Sequence, residues 1–174
     1  RLCLAVAMAC GDDCAPLSNA SAAAIELMHC ASLVHDDLPC FDNADTRRGQ
    51  PSVHKAFGER LAVLAGDALI VLAYQTLSAE IHHRPERAKV LLRGLSKAVG
   101  MPGGIVAGQA WESESVVDLR QYQRAKSGAL FAAATSLGAA SAGEAPAAWE
   151  ALGNWLGERS EEHTSELQSR IRIS

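Results

Sequence analysis

The chain has 174 residues, enough for one domain with a substantial hydrophobic core. Hydrophobic residues make up 48% of it and aromatic residues only 5%, which favours close-packed helices rich in Ala and Leu over a β-sandwich. The formal net charge of −4 argues against a nucleic-acid-binding protein, and five irregularly spaced cysteines indicate a reducing compartment such as the cytoplasm rather than a disulfide framework.

Apolar residues at helical spacing, interrupted by Gly, Pro and polar stretches, predict an all-α protein, with no competing strand pattern. After an apolar run at 2–10 and a turn-rich connection at 11–19, we predict helices at about 18–38, 52–80, 85–99, 105–111, 118–140 and 149–157. Pro39 ends the first of these helices, because the residue before a proline avoids the α region.

The most apolar run, Leu61–Ala73, is too short to cross a bilayer and contains Asp67, so no transmembrane segment is predicted. Residues 159–174 are abruptly polar, and RSEEHTSELQS resembles the conceptual translation of a sequencing-adapter oligonucleotide. We therefore assign the domain to 1–158 and treat 159–174 as a non-native tail. The alternative is an ordinary solvated tail.

The segment HDDLPCFDNADTRRG gathers four aspartates and two arginines. His29 and Asp36 share a helix face, since seven residues make nearly two turns. Asp37 lies beside Asp36, and a kink at Pro39 returns Asp42 toward them. Three converging carboxylates suit Mg²⁺, a hard cation that prefers oxygen ligands.

Arg47 and Arg48 follow these acids directly. Guanidinium groups offer paired donors to phosphate oxygens. Carboxylates alone repel a phosphate, so a metal ion is the natural bridge between the two. The segment therefore predicts a magnesium–diphosphate site. A self-neutralising solvated loop is the alternative that these residues alone leave open.

Several motifs in order carry a family resemblance: ELMHCASLVHDD, HDDLPCFDNADTRRGQPSVHKAFG, LAGDAL, GMPGGIVAGQ and YQRAKSGAL. Together they resemble the trans-polyprenyl diphosphate synthases, most closely the geranylgeranyl diphosphate synthases of the bacterial and plastid type. The resemblance covers residues 2 to about 158. It implies an isoprenoid-synthase-type helical bundle with a central cavity, incomplete here at both ends.

The resemblance implies roles for individual residues of the aspartate-rich segment. Asp36 and Asp42 match the family's magnesium ligands, with Asp37 supporting them as a third ligand, and all three count as catalytic. Arg47 matches the arginine that contacts the allylic diphosphate. Arg48 matches the arginine that contacts isopentenyl diphosphate.

Other site residues follow from the same resemblance. His29 matches a histidine of the isopentenyl diphosphate site. Lys126 and Ser127 match a Lys-Thr pair at the allylic diphosphate, and Lys126 is also counted as catalytic. Gln109 matches a Gly-Gln motif, in which Glu112 replaces the usual downstream Asp.

The implied reaction condenses isopentenyl diphosphate with dimethylallyl, geranyl or farnesyl diphosphate in a homodimer, with Mg²⁺, or Mn²⁺, as cofactor. Bulky side chains four or five residues before the first Asp limit product length in this family. Here those positions hold Ser32 and Ala31, both small, with Met28 farther down, which favours the twenty-carbon product. Farnesyl or another chain length and a noncatalytic partner subunit are the alternatives.

The family's second aspartate-rich motif is expected after 151–158, and a Gly-Gly-Lys-Arg-type element before the first helix. We therefore expect the chain to be an internal fragment that is inactive alone, with a plastid location possible if a transit peptide precedes it. Asp67 is predicted to be a buried structural acid, and His54 is left unassigned. A solvated loop is predicted for His82, His83, Arg84 and Arg87.

Overall fold

Helices form nearly all the regular structure of the computed structural model, which describes the backbone of residues 1–171 and the side chains of residues 1–160. Within those residues the α-helices are Leu2–Ala9 (α1), Ala15–Asp36 (α2), Val53–Phe57 (α3), Glu59–Glu80 (α4), Ala88–Val99 (α5), Ile105–Trp111 (α6), Leu119–Gln123 (α7), Ala129–Ser141 (α8) and Pro146–Ile171 (α9). The predicted all-α class is confirmed.

A short antiparallel hairpin connects α2 to α3. Its strands are Thr46–Arg47 (β1) and Gln50–Pro51 (β2), with Arg47 opposite Gln50. The two turn residues, Arg48 and Gly49, have φ values of 53° and 78°. Positive φ at both positions is the requirement of a tight two-residue hairpin turn. The sequence shows no strand pattern here, because two-residue strands are too short for an alternating pattern.

The core lies where α2 packs along α4 and where α8 packs against α1, α5 and α9. Its largest fully buried apolar side chains are Leu17, Met28, Leu77, Leu91, Leu95 and Leu137. Small residues let helix backbones approach: a Cβ added at Gly66 of α4 would lie 2.0 Å from the His35 ring of α2. The core is therefore aliphatic, as the composition predicts.

Helix α2 begins at Ala15, three residues before the earliest predicted start. Pro16 lies in its first turn, where a missing N–H costs nothing. The Asp12 carboxylate accepts hydrogen bonds from the Cys14 backbone N–H, at 3.0 Å, and from the Ser18 hydroxyl, at 2.5 Å. These contacts order a stretch that the sequence pattern predicts as a turn-rich connection.

Two predicted long helices are interrupted or modified. The helix predicted at 52–80 divides at Gly58, whose φ of 88° is left-handed and separates α3 from α4. Between α7 and α8, Arg124–Gly128 forms a single π-helical turn. Such turns occur frequently at functional sites.

The last helix is longer than the predicted 149–157 and runs to Ile171. Residues 172–174 lie outside the described part of the chain. The assignment of 159–174 as a non-native tail stays a prediction.

One helical stretch among the described residues, Glu59–His83, is long and apolar enough to cross a membrane by length and composition, with a mean hydropathy of 1.6. A single such helix is weak evidence, because core helices of soluble proteins meet the same criteria. This stretch includes α4, which contributes Ala73 and Leu77 to the core.

Candidate active site

The carboxyl end of α2 folds back on itself. The Leu38 N–H donates to the His35 carbonyl at 3.0 Å, and the Asp42 N–H donates to the Asp36 carbonyl at 2.9 Å. Asn43, with φ 46°, completes the return. The backbone therefore brings Asp42 next to Asp36, as the kink at Pro39 predicts.

Asp37 is held by the hairpin. Its carboxylate is 4% exposed and receives a forked hydrogen bond from Arg47, with Nε at 3.0 Å from Oδ1 and at 3.3 Å from Oδ2, and with Nη2 also on Oδ1. The hydrogen bonds that Arg47 donates to Asp37 raise the pKa of Arg47. In this arrangement Asp37 orients Arg47, and Asp36 and Asp42 are the carboxylates left to a metal ion.

Lys126 lies in the π-helical turn at the centre of a polar network. Its Nζ donates to Oε1 of Glu112 and lies 3.7 Å from Oδ2 of Asp36. Glu112 also accepts a hydrogen bond from the Tyr122 hydroxyl and one from Gln109 Nε2, at 2.7 Å. The network links α6, α7 and the end of α2. Tyr122 was missed in the sequence, because a helical tyrosine has no pattern that distinguishes it from a packing residue.

Charge controls the ionisation of this network. Burial opposes the charge on Lys126, but the Glu112 hydrogen bond and the Asp36 charge outweigh it and raise the pKa of Lys126. Burial likewise opposes ionisation of Glu112, but hydrogen bonds from Lys126 and Tyr122 lower its pKa. Burial and the Glu112 hydrogen bond raise the pKa of Tyr122 to about 12. Lys126 and Glu112 are therefore an ion pair, with Tyr122 as a neutral donor.

The surroundings of Asp36 disfavour its ionised form. Burial raises its pKa, and although Lys126 lowers it, the charges of Asp42 and Glu112 raise it again. A carboxylate in such surroundings gains from a nearby cation.

A cavity of about 460 Å³ opens beside Asp36. Among its lining residues are five other predicted site residues, His29, Ser32, Gln109, Lys126 and Ser127. Its remaining wall includes apolar side chains from α2 and α8, such as Ile25 and Leu130. The structure therefore brings these predicted residues to one cavity, while Asp37, Asp42, Arg47 and Arg48 lie outside its lining.

A second cavity of about 310 Å³ adjoins the first and is more apolar. Met28, Ala31 and Ser32, the predicted length-determining residues, line it together with side chains such as Ile70 and Val106. The residues shared by the two cavities are Ser32, Asp36, Ile105 and Gln109. A cavity that carries charged and polar side chains in its wall therefore adjoins one that is almost entirely apolar.

The structure also places Asp67, His54 and Arg87, of which His54 was left unassigned from the sequence. Asp67 is not buried: its side chain is 60% exposed and lies 3.6 Å from His35 Nε2, because it projects from the side of α4 next to the end of α2. His54 is buried, with Nδ1 at 3.0 Å from the Ser52 hydroxyl. Arg87 is not part of a solvated loop, because it is 14% exposed and pairs with Asp13 at 2.6 Å.

Comparison with known proteins agrees with this geometry. The polyprenyl synthetase family model matches residues 1–159. The geranylgeranyl diphosphate synthase of Cereibacter sphaeroides is 56% identical over 157 residues, which are 90% of this chain and 54% of that protein. The geranylgeranyl diphosphate synthase of Rhodobacter capsulatus is also 56% identical, over 88% of this chain and 53% of its own.

The fold has a counterpart in the crystal structure of an FPP/GFPP synthase from Zymomonas mobilis, with a TM-score of 0.81 and 38% identity over 90% of this chain and 60% of that one. The chain spans about half the length of the relatives it matches. On the match over residues 1–159, the chain belongs to the polyprenyl synthetase family.

Proposed function

We propose that the protein is a Mg²⁺-dependent prenyltransferase that condenses isopentenyl diphosphate with allylic diphosphates to give geranylgeranyl diphosphate. The observation that carries this proposal is a cavity with charged groups, Asp36 and Lys126, in its wall, which adjoins a second and more apolar cavity. An allylic diphosphate has the same division, with a charged head and a hydrocarbon tail. The 56% identity to two geranylgeranyl diphosphate synthases supports the same product.

The carboxylates of Asp36 and Asp42 are suitable ligands for a divalent cation. They are hard oxygen donors on adjoining backbone, and the pKa of Asp36 is raised by burial and by the charge of Asp42. We propose Mg²⁺ as the ion, with Mn²⁺ as a substitute, since both accept oxygen ligands. When bound, Mg²⁺ neutralises charge on the departing diphosphate. Asp37 contributes by holding Arg47.

The cationic side chains stabilise the departing diphosphate. The C–O bond of the allylic diphosphate breaks, and its electron pair leaves with the diphosphate, toward Lys126 and Arg47. The double bond of isopentenyl diphosphate, held by His29 and Arg48, then attacks the allylic cation. Loss of a proton to the departed diphosphate completes the step. The aliphatic cavity walls keep water from the cation.

The second cavity sets the product length in this proposal. Met28 and Ala31 are buried in its wall, and Ser32 stands where the two cavities join. Because Ala31 and Ser32 are small, the chamber accepts a tail longer than fifteen carbons. A fifteen-carbon or other chain length is the outcome that product analysis distinguishes.

We also propose that the protein is a homodimer that pairs through α4. The buried residues of α4 are Ala62, Gly66, Ala73 and Leu77, one narrow stripe. The opposite face exposes large apolar side chains, namely Leu61, Leu64, Val71 and Leu72. Such a face on a helix that already contributes to the core is typical of a subunit interface.

The test is a condensation assay with isopentenyl diphosphate and each allylic diphosphate. Because the chain spans about half the length of its relatives, the assay uses both the 174 residues and the product of the full gene. We expect turnover with Mg²⁺ and none in chelator. Turnover in chelator contradicts the mechanism.

Asp36→Asn and Asp45→Asn form a matched pair of variants for the same assay. Asp45 lies near the hairpin, 82% exposed and paired with Lys55, so its substitution is expected to leave turnover intact. Asp36→Asn is expected to abolish it. A noncatalytic partner subunit would show no turnover with Mg²⁺, even when it is expressed from the full gene.

A further inference from the structure

A cluster of three metal-binding side chains lies at the far end of α4. Glu80, His82 and His83 each place one ligand atom within 4.8 Å of the others. His83 Nε2 lies 3.1 Å from Glu80 Oε2, and the rings of His82 and His83 lie with their centroids 4.0 Å apart, tilted by 36° to each other. Two imidazoles and one carboxylate form a ligand set that zinc uses in proteins.

A carbonyl outside the cluster already orients one of the ligands. His82 Nδ1 lies 2.7 Å from the carbonyl of Ala79. A carbonyl only accepts hydrogen bonds, so Nδ1 carries the proton and the lone pair lies on Nε2. Histidine ligands of metals are commonly oriented by such a bond from the other ring nitrogen. His82 therefore has the tautomer that a metal ligand needs before any metal arrives.

Neighbouring positive charges are engaged elsewhere. Arg84 directs its guanidinium to Asp13, with Nη2 at 3.2 Å from Oδ2, and Arg87 does the same, with Nη1 at 2.6 Å from Oδ1. These two arginines follow the cluster in sequence, and neither has an ion pair with Glu80 among the described side chains. The carboxylate of Glu80 contacts His83 alone among the ion pairs of the described side chains.

The cluster is separate from the diphosphate site. Asp67 of α4 lies beside His35, next to Asp36, and Glu80 is thirteen residues farther along the same helix. At 1.5 Å per residue this is about 20 Å. A metal at Glu80 is therefore not one of the ions that would neutralise substrate.

We propose that Glu80, His82 and His83 form a second metal site, selective for zinc and other borderline cations over Mg²⁺. Water fills the fourth position. Tetrahedral zinc holds its ligands roughly 3.3–3.5 Å apart, so small side-chain rotations close the cluster. The ion joins the end of α4 to the turn Ile81–His83 and stabilises the folded state.

The test is a calorimetric titration of Zn²⁺ into the purified protein in excess Mg²⁺, which occupies the carboxylates of the substrate site. We expect one equivalent of Zn²⁺ to bind and to raise the melting temperature. His82→Ala, His83→Ala and Glu80→Gln are each expected to weaken binding more than about tenfold, since loss of even an outer-shell partner costs about 10–100-fold. The melting temperature of each variant without metal checks that it is folded.

Glu86→Gln is the matched control, because Glu86 is an acid on the next turn, 65% exposed and outside the cluster. It is expected to bind Zn²⁺ like the unsubstituted protein. The site is overturned if no Zn²⁺ binds, or if any one of the three ligand variants binds it with unchanged affinity. Prenyltransferase turnover is not a readout here, so failure of this site leaves the proposed function intact.

Discussion

Among single residues, Glu112 holds Lys126 in place and raises its pKa. Its carboxylate accepts hydrogen bonds from Lys126, Tyr122 and Gln109. Glu112→Gln removes a charge that raises the pKa of Lys126, so that pKa falls, and the lysine is no longer held toward the cavity. We expect kcat to fall roughly tenfold, equivalent to about 1.4 kcal/mol of transition-state stabilisation. Steady-state kinetics on the full-gene protein measures this.

Two further substitutions control that result. Glu114→Gln changes an exposed acid on the same segment and is expected to leave kcat unchanged. Glu112→Asp restores the residue that the family resemblance implies and is expected to keep most of the activity. Equal kcat in Glu112→Gln and Glu114→Gln would mean that Glu112 does not position Lys126.

Ala31 provides the residue-scale test of product length. It is 2% exposed and lines the apolar cavity. In Ala31→Phe the ring occupies space that a growing tail needs, so we expect the main product to shorten from twenty to fifteen carbons. Chromatography of the dephosphorylated products measures it. Ala23→Phe, at an exposed position of the same helix, is the control, and an unchanged product from Ala31→Phe argues against this chamber as the determinant.

The site was predictable residue by residue only in part. Asp36, His29, Gln109, Lys126 and Ser127 were named from sequence and meet at one cavity. The hydrogen bond that Arg47 donates to Asp37 was not predictable, because it depends on a hairpin turn with two positive φ values. The order of the motifs identifies which side chains belong to the site. The backbone conformation between the motifs determines which of these side chains contact each other.

At the scale of elements, the close contact between α6 and the π-helical turn fixes the position of the Lys126 backbone. A Cβ on Gly108 of α6 would lie 2.7 Å from the Lys126 backbone nitrogen and 2.9 Å from its Cα. Backbone cannot move aside as a side chain can, so Gly108→Ala is expected to shift the turn. We expect kcat to fall about tenfold or more, with a stability loss of roughly 1–3 kcal/mol.

Gly103→Ala is the matched control, since a Cβ there meets nothing within 4 Å. Turnover is compared at a temperature where circular dichroism shows both variants folded. If Gly108→Ala keeps normal turnover while folded, close packing at this contact has no part in positioning Lys126.

A second element-scale device joins three distant segments. Asp13, between α1 and α2, pairs with Arg84 and Arg87, and Arg87 also donates to the Ser141 carbonyl of α8 at 2.6 Å. Hydrogen bonds from Arg87 and Arg84 hold the pKa of Asp13 well below its usual range. A depressed carboxyl pKa adds stability above its unfolded value of about 4, and this stability is lost as pH falls.

We therefore expect Asp13→Asn to lower the melting temperature at pH 7. The difference from the unsubstituted protein should narrow as the pH falls below about 4. Thermal melts at a series of pH values measure both. A difference that stays constant across this range would mean that the Asp13 charge is not what joins the segments.

The elements themselves were mostly predictable, and their interruptions were not. Apolar periodicity identifies α2, α4, α5 and α8 because each buries one continuous face in the core. Gly58 has a left-handed φ, which divides one predicted helix into two. A single glycine in the sequence does not indicate that conformation. The same holds for the π-helical turn at Lys126, which changes the hydrogen-bond spacing without changing the apolar pattern.

At the scale of the whole molecule, α4 has two apolar faces, and the fold covers one. Leu61 and Leu64 are 55% and 61% exposed, while Ala73 and Leu77 on the other face are fully buried. Because water disfavours a broad apolar face, we propose that a second copy of the protein covers it. This dimer contact is distinct from the zinc cluster proposed at the end of the same helix.

We expect the protein to run as a dimer in size-exclusion chromatography with light scattering, and Leu64→Glu to run as a monomer, because a buried unpaired carboxylate costs several kcal/mol. Val116→Glu is the matched control: Val116 is 89% exposed, between α6 and α7, and lies away from α4. The control should remain dimeric. A monomeric unsubstituted protein, or a Leu64→Glu variant that stays dimeric, would show that the outer face of α4 is not the interface.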